Sequence, residues 1–336
     1  MNDKVAIVGS GLVGRAWAIS FARGGHDVVL FDTDDKAVAN ALRTVEGGLT
    51  KLELTGMLKG QTAVEVRSRI NGAPSLEAAL SGAAHVQENA PEELGVKREI
   101  FAKLDAAAER NAVLASSSSA ILPSRISDEL AGKSRCLVAH PINPPHLIPA
   151  VEIVPAPWTD PQVVERTRQR LAAIGQAPIV MRRELDGFIM NRLQGALLHE
   201  AFRLVAEGYA STEDVDAGIC KGIGLRWAFM GPFETIDLNA SGGVRDYVNR
   251  YEGLYQTLAQ SQSVPVRWSG ELLDRLEAER SRRLPRADLA ERQKWRDRRL
   301  MALAIHMAEA ASDACVCISR APGSRLLVAC GCGHVL

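Results

Sequence analysis

Val5-Ala6-Ile7-Val8-Gly9-Ser10-Gly11-Leu12-Val13-Gly14 is the stretch that decides the fold. Four apolar residues lead into Gly-x-Gly-x-x-Gly, and a helical pattern follows from Leu12 to about Ala22. A short continuous apolar run is the signature of a strand buried on both faces. After such a strand the first glycine permits a tight turn. The second lets the backbone approach a pyrophosphate, and the third lets the helix pack closely on the strand. The free N–H groups at the helix start then face the phosphates. Val28-Val29-Leu30-Phe31 reads as the second strand, and Asp32 ends it, where a carboxylate accepts hydrogen bonds from an adenosine ribose. Gly9, Gly11, Leu12, Val13, Gly14 and Asp32 are therefore expected to hold a dinucleotide. Thr33, Asp34 and Asp35 follow, and the next Arg is Arg43. Carboxylates there repel a 2′-phosphate, which favours NAD over NADP. Asp34 and Asp35 themselves are expected in a solvated loop or as a helix cap.

The same alternation continues along the chain. Strands are predicted at His85-Val86-Gln87, Ala112–Ala115, Cys136–Ala139, Val151–Val154 and Pro178–Met181, with a helix from Glu93 to Arg110. Short apolar strands between helices predict βαβ units and a mainly parallel sheet of Rossmann type. After Asp186 the strand pattern stops. Ile189, Leu193, Leu197 and Leu204 recur at helical spacing from Gly187 to Gly208, and Ser211-Thr212-Glu213-Asp214 reads as a helix start. Further helices are predicted near 242–259, 270–283 and 286–311. The expected organisation is α/β: a Rossmann domain over 1–185, an all-α substrate and dimerisation domain over 186–311, and an atypical cysteine-rich tail over 312–336.

The 336 residues carry 40 Lys+Arg against 40 Asp+Glu, and 46% are hydrophobic. This is the composition of a globular chain long enough to bury its own core. Zero net charge argues against nucleic acid as the partner, since such proteins carry a basic excess. No apolar run is long enough to span a bilayer. Met1-Asn2-Asp3-Lys4 leads straight into the first strand without the features of a leader, so the cytoplasm is the expected location. Cys136 and Cys220 are scattered, as in a reducing compartment. Cys315, Cys317, Cys330 and Cys332 crowd the tail, but in C-x-C pairs that do not fit usual zinc spacing, so no metal is expected. Residues 280–299 hold nine Lys+Arg against three acids, which reads as a solvated helix face.

Four further segments carry chemistry together: Ala115–Ala120 (ASSSSA), His140–Pro145 (HPINPP), Glu152 in VEIVP, and Asp186–Leu193 (DGFIMNRL). Ser119 stands 21 residues before His140, and Glu152 stands 12 after it. This pattern resembles the 3-hydroxyacyl-CoA dehydrogenase family, and more closely its λ-crystallin / L-gulonate 3-dehydrogenase branch. The likeness rests on SSSSAILPS, VAHPINPPHLIPAVEIVP, DGFIMNRLQGALLHEAFRLVAEG and GLRWAFMGPFETIDLNA, within residues 4–260. The resemblance implies that His140 is the general base and that Glu152 orients its imidazole. It implies that Ser119 and Asn191 hydrogen-bond the reacting oxygen. Glu92, Lys97, Ser117 and Asn143 match positions at the cofactor site, and the C-terminal helices would form a homodimer. The chemistry agrees: hydride leaves a carbinol carbon as its O–H proton departs, so a base titrating near neutrality is needed.

The substrate is expected to be a small free 3-hydroxy acid such as L-gulonate. Arg226, in RWAF before Met230-Gly231-Pro232, offers a guanidinium to clamp a carboxylate bidentately. The alternatives are a short 3-hydroxyacyl-CoA and L-carnitine, whose quaternary ammonium could use Trp227 and Phe229. A crystallin-like structural or NAD-binding protein is the reading outside enzymology. The presence of Ser119, His140, Glu152 and Asn191 together weighs against it.

Overall fold

A computed structural model describes residues 3–318, with side chains described as far as residue 309. The cysteine side chains of the tail expected over 312–336 lie outside the described residues. Eight strands form one sheet: β1 (Lys4–Val8), β2 (Asp27–Phe31), β3 (Ile70–Gly72), β4 (Ala83–Glu88), β5 (Val113–Ser116), β6 (Cys136–Pro141), β7 (Ala150–Pro155) and β8 (Ala177–Val180). Their order is β3-β2-β1-β4-β5-β6-β7-β8. Every neighbouring pair is parallel except β6 and β7. The sheet is thus the Rossmann-type arrangement that the sequence predicts. Seven strands match the apolar runs. β3 was not among them, because Ile70-Asn71-Gly72 offers one buried side chain and nothing to alternate with.

Strand periodicity divides the core in two. Val5, Ile7, Leu137, Ala139, Val151 and Ile153 face one side with the helices Leu12–Arg23, Asp35–Leu54 and Pro161–Ala173. Ala6, Val8, Val138, Val154 and Phe101 of the helix Leu94–Ala107 fill the other. Successive side chains alternate between faces, so His140 and Glu152 follow Val138 and Val154 onto the second face. Asp34 caps the helix that begins at Asp35, accepting from the Lys36 N–H at 2.9 Å.

Residues up to Asn191, with the stretch from Asp297, form one compact unit, and Arg192–Arg296 form another. The second unit is helical: Thr212–Gly218, Gly224–Trp227, Pro232–Leu238, Gly243–Ser261 and Glu271–Arg283. The helix predicted from Gly187 starts at Met190 instead, because Gly187 and Phe188 take φ of 76° and 49°. It ends at Ala206, ahead of Gly208, which takes φ 79°. Ser211 caps the next helix with Asp214 in a reciprocal box. The final helix Leu289–Ile318 packs with the first unit: Met301 is buried in its core, and Thr55 Oγ1 reaches Met301 Sδ at 3.9 Å. The sequence reading had placed this helix wholly with the helical domain. Of the basic residues at 280–299, Arg280 and Arg283 pair with Asp216 and Glu213. No helix among the described residues is long and apolar enough to cross a membrane.

Candidate active site

The Gly-x-Gly-x-x-Gly turn is built as its spacing requires. Gly9 sits at φ 92°, and its N–H donates to the Phe31 carbonyl at 2.8 Å. A Cβ on Gly14 would lie 1.9 Å from the Gly9 carbonyl oxygen, so only glycine lets the helix seat on the turn. A Cβ on Gly11 would meet nothing within 4 Å. That side of the turn is open beside the first-turn N–H groups of Leu12 and Val13, which have no partner within the helix. Ser10 donates its N–H at 2.7 Å and its hydroxyl at 2.9 Å to Asp32 Oδ2. Burial alone would raise the Asp32 pKa. The bonds from Ser10 and from the Asp34 and Thr33 N–H groups outweigh it and hold the carboxyl below its ordinary value. A charged acceptor therefore stands beside an open backbone turn at a helix start. This donor and acceptor set fits a dinucleotide: N–H groups for the pyrophosphate and a carboxylate for the ribose.

Across the sheet, the antiparallel ladder places His140 directly opposite Glu152. The two side chains meet at 2.7 Å between Nδ1 and Oε2. Glu152 is fully buried, and its other oxygen accepts the N–H groups of Ile189 at 2.7 Å and Met190 at 2.9 Å. Burial pushes the Glu152 pKa up, but the bonds from His140, Met190 and Ile189 more than reverse it. An ionised carboxylate only accepts, so the proton in that bond belongs to His140 Nδ1. The two donors are aimed at Glu152 by Phe188. A left-handed backbone costs a bulky residue about 1–3 kcal/mol, and here the ring is fully buried against His140, 5.6 Å between centroids.

Asn191 follows those two N–H groups at the start of the helix and donates through Nδ2 to the Ser119 carbonyl at 2.6 Å. Ser119, past the end of β5, is exposed. Its loop is shaped by Glu92, whose Oε1 accepts the Ser118 hydroxyl and the N–H groups of Ser119, Ala120 and Ile121. Desolvation opposes the Glu92 charge, yet these bonds and nearby Lys97 keep its pKa low. Lys97 is buried, 3.0 Å from Glu88 and 3.6 Å from Glu92. Ser117 accepts from Trp17 Nε1 at 3.1 Å and Gln87 Nε2 at 2.7 Å, and donates to Asn89 at 2.8 Å. Asn143 is exposed in the loop after β6, and Arg226 is exposed on the helix Gly224–Trp227 of the second unit.

The sequence reading missed Gln87, Glu88 and Asn89. Their signal was a run of polar residues, Gln87-Glu88-Asn89, closing an apolar strand of a parallel sheet, where burial demands partners.

The 3-hydroxyacyl-CoA dehydrogenase NAD-binding domain is matched over residues 4–185, and the C-terminal domain of the same family over residues 187–282. A lambda-crystallin from Oryctolagus cuniculus is 44% identical over 305 residues, covering 89% of this chain and 95% of that protein. An L-carnitine dehydrogenase from Streptomyces griseus is 39% identical over 249 residues, covering 74% and 73%. The solved structure of a 5-formyl-3-hydroxy-2-methylpyridine 4-carboxylic acid 5-dehydrogenase, an NAD+-dependent dismutase, aligns with TM-score 0.74 at 27% identity, covering 92% of this chain and 99% of that one. With both domains matched in order and a nucleotide turn that fits the cofactor, the chain belongs to the 3-hydroxyacyl-CoA dehydrogenase family and is an NAD-dependent dehydrogenase.

Proposed function

We propose that this dehydrogenase oxidises the 3-hydroxyl of a small 3-hydroxy acid, L-gulonate-like, to the 3-keto acid. The observation that carries the reading is the 2.7 Å bond from His140 to a Glu152 anchored by two backbone N–H groups. NAD supplies the hydride acceptor when bound. With Nδ1–H committed to Glu152, Nε2 of His140 is the nitrogen that takes the substrate hydroxyl proton. Glu152 stays ionised and favours the imidazolium that forms, which lowers the barrier to proton removal. The Ser119 hydroxyl and the Asn191 amide hold the reacting oxygen. The bond from Asn191 to the Ser119 carbonyl keeps the two together. Arg226 would clamp the free carboxylate that a thioester lacks.

The L-carnitine dehydrogenase relative supports a second reading, with exposed Trp227 and Phe229 offering aromatic faces to a quaternary ammonium. The family model itself supports a third, a short 3-hydroxyacyl-CoA. NADH formation with L-gulonate, 3-hydroxybutyrate, L-carnitine and 3-hydroxybutyryl-CoA side by side separates them. The expected order of kcat/KM puts a free 3-hydroxy acid first, and a clear preference for carnitine or the thioester overturns it. His140→Ala is expected to lose about 10²–10⁴ in kcat while NADH still binds. Near-normal turnover in that variant refutes the base assignment. An Arg226→Met variant with an unchanged KM for the preferred free acid removes the clamp.

A homodimer through the helical unit is part of the same reading. Val248, Leu254, Tyr255 and Leu258 stand exposed on the helix Gly243–Ser261, which buries no residue. Contiguous apolar exposure of this kind marks an association surface. Cytoplasmic residence is proposed from the scattered thiols Cys136 and Cys220, both free.

A further inference from the structure

A cavity of about 520 Å³ lies within the first unit, lined by Arg23, Lys59, the His146–Leu147 loop, Gln176 and the Ala304–Glu309 turn of the final helix. Its volume is within the range of small-molecule sites. It belongs to the sheet face that carries Leu147 and Ile174, whereas His140 and Glu152 follow Val138 and Val154 onto the other. We propose that it is a second binding site, for a small organic anion carrying a carboxylate or phosphate together with a hydroxyl. The inference does not depend on which alcohol the active site oxidises.

The cations ask for the anion. Arg23 donates through Nη1 to the His146 carbonyl at 3.1 Å, a neutral acceptor. Among the described residues neither Arg23 nor Lys59 stands in an ion pair, and Glu309, the carboxylate of the lining, has an interaction of its own. Burial lowers the Arg23 pKa, and burial together with Arg23 lowers that of Lys59. Two partly desolvated like charges that share no ion pair among the described residues are unfavourable for the protein alone, and an anion between them relieves both.

The neutral groups ask for the hydroxyl. Gln176 is fully buried; its Nε2 donates to the Pro145 carbonyl at 3.0 Å, but its Oε1 finds no partner among the described residues. His146 Nδ1 is also buried without one among those residues. Burial, with Arg23, brings the His146 pKa down to about 4, so the ring is neutral and offers one donor and one acceptor. Gln176 lines the cavity, and an O–H donor that reached its orphan amide oxygen would satisfy it. Met57, Ile174 and Ile305 supply an apolar wall for the carbon skeleton.

Calorimetric titration of the full-length protein, saturated with NADH, tests this with malate in one arm and glycerol 3-phosphate in the other. At least one is expected to bind with one equivalent per chain, and the preferred arm tells carboxylate from phosphate. Lys59→Met and Arg23→Met are each expected to weaken that binding tenfold or more, with NADH affinity unchanged. Should Arg23→Met fail to fold, Lys59→Met decides alone. Failure of both anions to bind, or binding in Lys59→Met within twofold of the parent, overturns the proposal. So does crystal density showing the bound anion only beside His140. None of these results bears on turnover of the substrate panel, so the two readings fail separately.

Discussion

At the scale of single residues, the His140–Glu152 pair owes its geometry to charge as much as to position. Glu152 has four lone-pair sites and spends three of them on the His140 ring and two main-chain donors. Glu152→Gln keeps the shape but removes the charge and puts an NH2 where only acceptors suit. It is expected to cut kcat by about 10²-fold or more, with NADH affinity unchanged. A steady-state assay alongside an NADH fluorescence titration checks this, and equal losses in both would point to a general distortion. As candidates, His140, Glu152, Ser119 and Asn191 were legible in the sequence by residue type, and the structure brings His140 to Glu152 and Asn191 to Ser119. The partners that fix them were not. Ile189 and Met190 act through backbone N–H groups, which no side-chain pattern reveals. Glu92 was expected at the cofactor site, and the hydrogen bonds it accepts from the serine loop are visible only once the loop closes around it.

At the scale of elements, the nucleotide turn is the most tightly specified piece of the chain. Gly14→Ala would force its Cβ against the Gly9 carbonyl, displacing the helix Leu12–Arg23 from β1. A loss of about 2–4 kcal/mol is expected, as for a forced overpacking with a backbone shift. Urea unfolding measures it, and NADH affinity should fall with it; a variant within 0.5 kcal/mol of the parent contradicts the close approach. Strands with four or more apolar residues were read correctly, because burial on both faces leaves a continuous apolar run. β3 was missed for lack of such a run. The start of the helix at Met190 was missed because Phe188 adopts a backbone that local propensity disfavours and its burial sustains. The end of the final helix was predicted as part of a helical domain, and nothing in its own periodicity says that Met301 packs beneath Thr55.

At the scale of the whole molecule, acid stability and association follow. His85 is fully buried in β4, where desolvation takes its pKa to about 3. Below pH 6.5 the unfolded chain takes up a proton that folded His85 refuses, so stability falls as pH falls. Each pH unit costs about 1.4 kcal/mol, or roughly 3 kcal/mol between pH 6.5 and pH 4. His26 and His146, also lowered, act in the same direction. Asp32, Glu92 and Glu152, held low, contribute stability above their ordinary carboxylate values, which is lost as pH falls from there through their folded values. Urea midpoints across pH 7 to 4 should fall steeply for the parent. His85→Leu should start lower, having orphaned the Gln87 amide, and decline less; parallel slopes exclude His85 as the cause. For association, light scattering should report twice the 36.3 kDa chain mass, and Leu254→Asp should shift it toward the single chain. The zero net charge is evenly spread, 21 basic and 21 acidic residues in 1–185 against 19 and 19 beyond. Selectivity by charge must therefore come from a few placed groups, Asp32 foremost.

The one antiparallel junction in the sheet has an evolutionary consequence. His140 and Glu152 are partners by ladder register, and the ladder is closed by the Ile142 N–H on the Ala150 carbonyl at 3.1 Å. Everything from Asn143 to Pro149 is hung outside that clasp. A lineage can therefore rewrite the hanging segment, in length or in composition, without disturbing the His140–Glu152 pair, provided the clasp survives. That segment begins just past His140 and ends in the wall of the cavity on the opposite sheet face. Mutational drift there edits two surfaces of the enzyme at once, while the chemistry stays inherited.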